Sequence, residues 1–477
     1  MRKKGSVTVF LTLILSLLLS LICASIESVR MASARTQILN GMDIGLYSLF
    51  GQYDKELLAD YDLFALDGSR GGGQLDLAAV CDELEAYMNS ILKQNSQKLT
   101  LCQSGLTGYR LLTDQKGEAF YQQIVGYMQE TLGSQGIQLL LGRMSERQEK
   151  TAQADQSANQ AQSKGSIDRY DSEMNQASEK SQQAAEEAQV IPQAPPAKNP
   201  ITIMKRIMKR GVLELVLPGG NGLSTKEIEK GTLVSGRGLQ QGMEMPDGMT
   251  VENSYTSEVL FQQYLMEHLG SYAEPSSAGL AYQMEYVFGG KNSDEDNLKA
   301  VASKLLFIRE GVNFACLMAD NVKRSEAQAL ATAIASGFLV PPAAVIIEAA
   351  LILCWAFAES VLDVRELFAG GRIPLVKSSG DWQISLENLP DLMEGLDSMR
   401  RNDEKGMSYK DYLQVLVLTV SKEKKAMRAM DMIENTIREK GRKNFCMDSC
   451  IVALEAFADV KANKKKDFQV IRQYCYE

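Results

Sequence analysis

Histidine is nearly missing from this chain: His268 stands alone in 477 residues. That excludes His-rich metal sites and makes any histidine-based catalytic triad depend on one position. An excess of positive charge is missing as well. The chain carries 51 Lys and Arg against 60 Asp and Glu, a net charge of −9. Binders of a phosphate backbone draw their affinity from cationic neutralisation, so nucleic acid is not an expected partner. Phosphate loops are lacking too: Gly71-Gly72-Gly73 has no Lys and Ser/Thr behind it, and Gly236-Arg237-Gly238 lacks the rest of a dinucleotide fingerprint. The carboxylates Asp294, Glu295 and Asp296 lack the spacing of a calcium loop and, after Ser293, read as a capped helix start. The eight cysteines form no tidy framework for an oxidising exterior. Cys446 and Cys450, read as sharing one helical face, would be strained as a disulfide and are too few for a metal. Buried free thiols are expected, and no cofactor.

What is present is ordinary globular composition, 45% hydrophobic and 23% charged, over a length that allows two or three folded units. Arg2, Lys3 and Lys4 precede Ser6 to Ile26, a charge-free run that includes Phe10, Leu15 and Leu19. As a helix it would extend about 31 Å, the thickness of a bilayer core. The cationic flank keeps the N-terminus cytoplasmic and predicts a single-pass protein with its bulk outside. A cleavable secretory signal ranks second, because the run exceeds an h-region of about 7 to 15 residues and Cys23-Ala24-Ser25 is only a passable site. A lipoprotein site is disfavoured by Ile22 before Cys23. Lys3-Lys4-Gly5-Ser6 has the form of a prepilin-type leader, a short basic stretch ending in Gly directly before the apolar helix, which makes Gly5 and Ser6 the candidate processing site.

The opening Lys4-Gly5-Ser6-Val7-Thr8-Val9-Phe10 resembles the amino ends of TadE/TadG-like pseudopilins of tight-adherence pilus systems. Glu27-Ser28-Val29-Arg30, Tyr53 to Leu58, Tyr61 to Asp67, Tyr109 to Asp114, Asn297 to Asn313, and Ala356 through Leu367 together look like an uncharacterised family of Firmicute membrane proteins associated with tight-adherence pilus loci. The resemblance implies a membrane partner and other pilin-like subunits or pilus assembly proteins, and it brings no established activity with it. In one respect the chain departs from it: pilin-like proteins usually carry Glu at the fifth position of the mature helix, and here that position is Phe10.

Past the apolar run, Met31, Ala34, Ile38, Met42, Leu46, Leu49, Tyr53 and Leu57 recur at three- and four-residue intervals, so the helix is predicted to continue outward as a stalk. The stripe suits packing on the protein's own globular part better than on partner subunits. Gly41, Gly45 and Gly51 predict a bend. Helical spacing over Leu75 to Leu92 and Glu118 to Leu132, around one or two strands in Lys98 to Leu112, predicts a small α+β head. Residues 145 to 200 are rich in Gln, Ala, Ser, Glu and Lys and end in prolines, which predicts a spacer, its first part through Ala188 able to form a solvated single helix and its Pro-rich end extended.

The C-terminal part begins near Ile201 with a short basic amphipathic helix, whose charges suit a solvated face better than a membrane surface. A strand is expected at Val212 to Leu217 and a turn at Pro218 to Gly222. Helices follow, one through Leu298, Val301, Leu305, Ile308, Val312, Ala315 and Ala319, another from the capping box Ser408/Asp411 through Ile433. Ala343 to Ala358 is either a second span or the central helix of a bundle. Glu348 in its middle favours the bundle, with Pro341-Pro342 before its start and Gly370-Gly371 at its end. Glu359 and Asp363, one turn apart, are expected on a solvated continuation of that helix.

The expected architecture is therefore α+β and mostly α: a basic leader at 1–5, a transmembrane helix at 6–26, a pilin-like stalk and small head at 27–144, a spacer at 145–200 and a mainly helical bundle domain at 201–477. The favoured function is a non-enzymatic, membrane-anchored extracytoplasmic component of a tight-adherence-like apparatus. A tethered binding or sensing module is the alternative. A hydrolase using His268 or Glu359 and Asp363 is the weakest reading, since no nucleophile motif accompanies them.

Overall fold

A leucine-rich, charge-free run from Ser6 to Ile26 and the proline-free segment after it form α1, Lys3–Phe50, one unbroken helix of 48 residues. This is the start of a mostly helical α+β fold. The computed structural model describes residues 3–93, 98–164, 170, 172, 175–176, 179, 200–217, 222–243, 245, 254–337, 343–375, 377, 379–396, 406–462 and 466–476. The Pro-rich end of the expected spacer, most of the turn at 218–222 and Pro341-Pro342 lie outside these residues. The chain forms two compact units, one from Met1–Tyr127, Thr232–Glu252 and Ile437–Glu477, the other from Met128–Gly231 and Asn253–Thr436.

In the first unit, α1 has two halves of opposite character. Phe10, Leu15 and Leu19 stay more than 60% exposed, whereas Ala34, Ile38, Met42, Leu46 and Leu49 are buried, the stripe that the spacing predicts. That stripe lies on α3, Leu77–Lys93, through Leu84, Met88 and Leu92, and on a four-stranded antiparallel sheet. The helix runs unbroken through Gly41 and Gly45, and of the three glycines only Gly51 lies in a turn, directly after its end. A Cβ on Gly45 would come within 3.2 Å of Met88 and 3.3 Å of Leu84, so the missing side chain lets the two helices approach. The helix ends at Phe50, and Tyr53 and Leu57 are not part of it: Asp54 starts α2, Lys55–Tyr61, by accepting from the amides of Glu56 and Leu57.

The sheet joins distant parts of the sequence. Its strands are β1, Leu66–Asp67; β2, Leu99–Leu111; β3, Cys450–Ala462; and β4, Lys466–Cys475. The central β3 pairs with all three others. Three register shifts along β2 absorb its length, as bulges do. The head is thus completed by residues from the far end of the chain, which were expected in a separate helical domain. Cys446 and Cys450 share no helical face, because Cys450 opens β3. Where one or two strands were expected in Lys98 to Leu112, there is one.

α4, Asp114–Lys164, supplies its first turns to this unit and the rest to the second. The first twenty residues of the expected spacer are therefore helix. In the second unit they pack closely: Ala154 and Ala158 are buried, and Asp155 pairs with Lys304 at 2.7 Å. The partner helix is α9 in a series that runs α5, Pro200–Met208; α6, Val212–Val216, where a strand was expected; α7, Tyr255–His268; α8, Gln283–Gly289; and α9, Asp294–Ala319. Ser293 caps α9 as its sequence predicts, accepting from the amide of Asp296 at 3.1 Å. Leu298, Val301, Leu305, Ile308 and Val312 are buried along it, while Ala315 and Ala319 are exposed.

α10, Asn321–Gly337, leads to α11, Ala344–Phe368, the second helix long and apolar enough to cross a membrane. It is 78% buried over its most apolar window and packs among α5, α6, α9 and α10, as a bundle core does. The Ser408/Asp411 capping box is present and starts α12, Tyr409–Leu418, but the expected single helix breaks at Thr419 before α13, Lys422–Glu439. A Cβ on Gly311 of α9 would lie 2.3 Å from the backbone of Ala158. Gly311→Ala should therefore cost about 1–3 kcal/mol, the usual range for overpacking. Thermal unfolding checks it, and an unchanged midpoint would contradict the packing of α4 on α9.

Candidate functional site

The chemistry-bearing side chains of the second unit converge between α9 and α11. Arg309, one turn after Leu305, points from α9 to Asp363 on α11, donating from Nε at 3.0 Å and Nη2 at 2.9 Å. Its Nη1 donates to the carbonyls of Pro374 and Leu375 and to the Tyr412 hydroxyl. Asn313, one turn further along α9, donates to Asp363 and to Ser360, both at 2.9 Å. From the segment after α11, Lys377 reaches Asp363 Oδ1 at 2.6 Å and Glu359 Oε1 at 2.5 Å. Glu359 also accepts from the amides of Gln383 and Ile384.

All four charged groups are buried. The solvated face expected for Glu359 and Asp363 is corrected by these contacts: the two carboxylates are enclosed because two cations and several amides replace water around them. Burial disfavours ionisation of Asp363, but the charges of Arg309 and Lys377 outweigh it and hold the carboxyl below its usual range. With two cations and two anions the network is neutral as a whole, which is the condition for burying charge at moderate cost.

A cavity of about 580 Å³ adjoins this network, with Lys377 in its wall. α4 lines it with Lys150, Ala154 and Ser157, α9 with Val312, Ala315 and Cys316. Asp320, Lys323, Leu375 and Trp382 close the remaining sides. Its size falls in the ordinary range of small-molecule pockets, about 300–1,000 Å³. Lys323 sits 5.7 Å from the ring centres of both Trp355 and Trp382, which meet edge to face at 5.9 Å. Burial pushes the Cys316 thiol up, which keeps it protonated at neutral pH and makes it a poor nucleophile. Neither Glu359 nor Asp363 is among the residues that line the cavity, whose one carboxylate is Asp320.

The residues singled out in sequence lie in different places. Glu359 and Asp363 come together in the network, whereas His268 ends α7 with its ring 4.2 Å from that of Tyr264. Gly5 and Ser6 are in the first turns of α1, ahead of the exposed Phe10, Leu15 and Leu19. All eight cysteines are free thiols, but only Cys354 and Cys450 are buried, and Cys23, Cys102 and Cys475 are exposed. Sequence reasoning missed Arg309, Lys377, Lys323 and Trp382. A signal for Arg309 existed: it is a cation inside an otherwise apolar seam and needs an anion in reach.

A second polar cluster is tied to the fold rather than to a cavity. Glu285 on α8 is fully buried, accepting from the Tyr409 hydroxyl at 2.5 Å and the Tyr272 amide at 2.8 Å. Burial raises its pKa to about 7, against the smaller opposing effect of these hydrogen bonds.

Residues 192–462, more than half of the chain, match the family of unknown function DUF5702, and the chain belongs to that family. The matched region contains the whole ion network and ends with β3. No curated protein and no solved structure matches the chain.

Two outcomes follow from these clusters. Lys377→Met leaves Glu359 and Asp363 a cation short and should cost about 3–5 kcal/mol; denaturant unfolding measures it, and a loss below 1 kcal/mol would contradict the network. Glu285 has a raised folded pKa, so its contribution is fully present below the unfolded value and is lost as pH rises through about 7. Stability should thus fall between about pH 4.5 and 7, and Glu285→Gln should flatten that slope. An equally steep profile in the variant would show that Glu285 is not the group responsible.

Proposed function

As a member of this family with an apolar helix at its start, the chain is one that we propose acts as a non-enzymatic, membrane-anchored extracytoplasmic component, a minor pseudopilin or assembly accessory of a tight-adherence-like pilus or secretion apparatus. The observation that carries the reading is the division of α1. Its first half is apolar and exposed from Val7 through Val29, and its second half packs on an antiparallel sheet. Exposed leucines on every side of a helix have no favourable environment in water, and lipid or other apolar helices supply one. Such a helix can pack laterally with pilin-like helices in the bilayer, while the basic Arg2, Lys3 and Lys4 stay in the cytoplasm and the two units lie outside. The Lys4-Gly5-Ser6 leader and the resemblance to TadE/TadG-like proteins support the pilus assignment. The alternative, a tethered binding or sensing module unrelated to pili, is favoured by one feature, the cavity beside the ion network.

The deciding measurement is the N-terminal residue of membrane-extracted protein, by mass spectrometry, in cells with and without their prepilin peptidase. The expected result is a start at Ser6 that depends on the peptidase, or an intact Met1 with pilus subunits co-purifying. A start near Ile26 would remove the anchor and overturn the reading, and so would an intact Met1 with no pilus subunit bound.

A further inference from the structure

We propose that one end of the α10–α11 helix pair in the second unit rests on a lipid bilayer, as an interfacial contact distinct from the anchor formed by α1. The two helices are consecutive and pack on each other. Lys323 at the start of α10 lies 5.7 Å from the ring of Trp355, well along α11, so the helices run antiparallel and the end of α10 meets the start of α11. That end carries no charge. Only two stretches of the sequence exceed twelve residues without a charged side chain, Gly5 to Ile26 and Ala327 to Ile347. The first is the exposed apolar half of α1, and the second runs from α10 into the first turn of α11. Charge stops at Glu326 on one side and at Glu348 on the other, where Arg324 meets Glu348 at 3.8 Å.

Charge-free sequence is commonly buried, and part of this one is: Ala327, Ala331, Ile334, Ala335 and Ile347 are in the core. The rest faces outward. Gln328, Ala329, Thr332, Ala333 and Ser336 are exposed along α10, and Val345 on α11 is 74% exposed, more than Phe10, Leu15 or Leu19 on α1. Where a helix of this unit faces water it carries charge, as α4 does with Glu146, Glu149 and Lys150. Here the hydroxyls close on the helix itself: Thr332 donates to the Gln328 carbonyl and Ser336 to that of Thr332, both at 2.8 Å. Thr12 and Ser16 do the same on α1. A protein partner fits less well. Docking surfaces concentrate Trp, Tyr and Arg at their centre and hydrogen-bonding groups at their rim, and the described residues of 327–347 include no aromatic side chain and no arginine. Small aliphatic side chains with self-satisfied hydroxyls suit the acyl boundary just below a membrane surface.

Quenching of tryptophan emission by lipid bromines reads this contact. The full-length protein is reconstituted in phosphatidylcholine bilayers with and without bromine on the acyl chains, and the native signal of Trp355 and Trp382 is subtracted. Val345→Trp should place its indole about 5–10 Å into the headgroup and acyl boundary and lose about half or more of its added emission to brominated lipid. Ala333→Trp, on the exposed face of α10, should behave alike. Val322→Trp, 69% exposed at the other end of α10, should keep its emission and stay open to aqueous iodide. Leu15→Trp reports α1 separately, so failure of the anchor and absence of this second contact give different patterns. Equal emission of Val345→Trp and Ala333→Trp in both lipids would overturn the proposal, whether or not Leu15→Trp is quenched. Blue-shifted emission without bromine quenching would do so too, since protein would then cover this end. Quenching of Val322→Trp to the same degree would also count against it, because the helices would then lie in lipid along their length.

Discussion

Asp363 is the point on which the second unit turns. Its two oxygens accept from Arg309 and Asn313 on α9 and from Lys377 in the segment after α11. Through Arg309 the same contact reaches Tyr412 on α12 and the carbonyls of Pro374 and Leu375. Four parts of the chain are thus referred to one carboxylate. A buried ion network of this kind adds little net stability over apolar packing of the same shape, because each charge has given up its water. What it adds is selection among arrangements. If α11 slid along α9 by one turn, four charges would be left in apolar surroundings at several kcal/mol each. Apolar seams such as Leu298, Val301 and Leu305 against the alanine- and leucine-rich α11 would accept that slip far more cheaply.

The first unit rests on a different constraint, sequence separation. Thr107 on β2 bonds to Glu455 on β3 across 348 residues, and Tyr476 donates to the carbonyl of Phe50, the last residue of α1, across 426. Closing loops of that length costs conformational entropy before any pairing rewards it. The stalk half of α1 therefore has its packing surface completed only when the end of the chain is in place. Phe50 shows this directly, with its ring 4.8 Å from Tyr474 and 4.9 Å from Tyr476.

These two constraints explain which features could be read from the sequence. The buried stripe of α1, the Ser293 cap and the Ser408/Asp411 capping box are local patterns of three or four residues, and each is present in the structure. The β2–β3 pairing is not local, and no spacing rule reaches across it. Its second strand did carry a signal: Leu454, Ala456, Ala458, Val460 and Ala462 alternate with Glu455, Phe457, Asp459 and Lys461, the period of a half-buried strand. The pair Cys446 and Cys450, read with helical spacing, concealed it. The packing of Ala154 and Ala158 was hidden for another reason. Their segment has few large apolar residues and resembles a solvated spacer, yet small side chains suffice where the facing residue is Gly311.

The two long apolar helices show why an apolar run alone does not settle its own environment. α1 and α11 both pass the length and composition test for a membrane span, yet one is bare over its apolar half and the other is largely enclosed by protein. The difference lies in the polar residues each one carries. Between Ser6 and Ile26, α1 has no charge, and its hydroxyls turn back onto the helix, as Thr12 does to the Val9 carbonyl and Ser16 to that of Leu13. Nothing in that stretch requires a protein partner. α11 carries Glu359, Ser360 and Asp363 into its buried face, and these require Lys377, Asn313 and Arg309, the last of them 54 residues before Asp363 in sequence. A pair of carboxylates on an apolar helix, with a cation inside the apolar seam of another, is the mark of two helices that must meet within protein. In this chain the two runs are separated by that criterion, and hydrophobicity alone would have treated them alike.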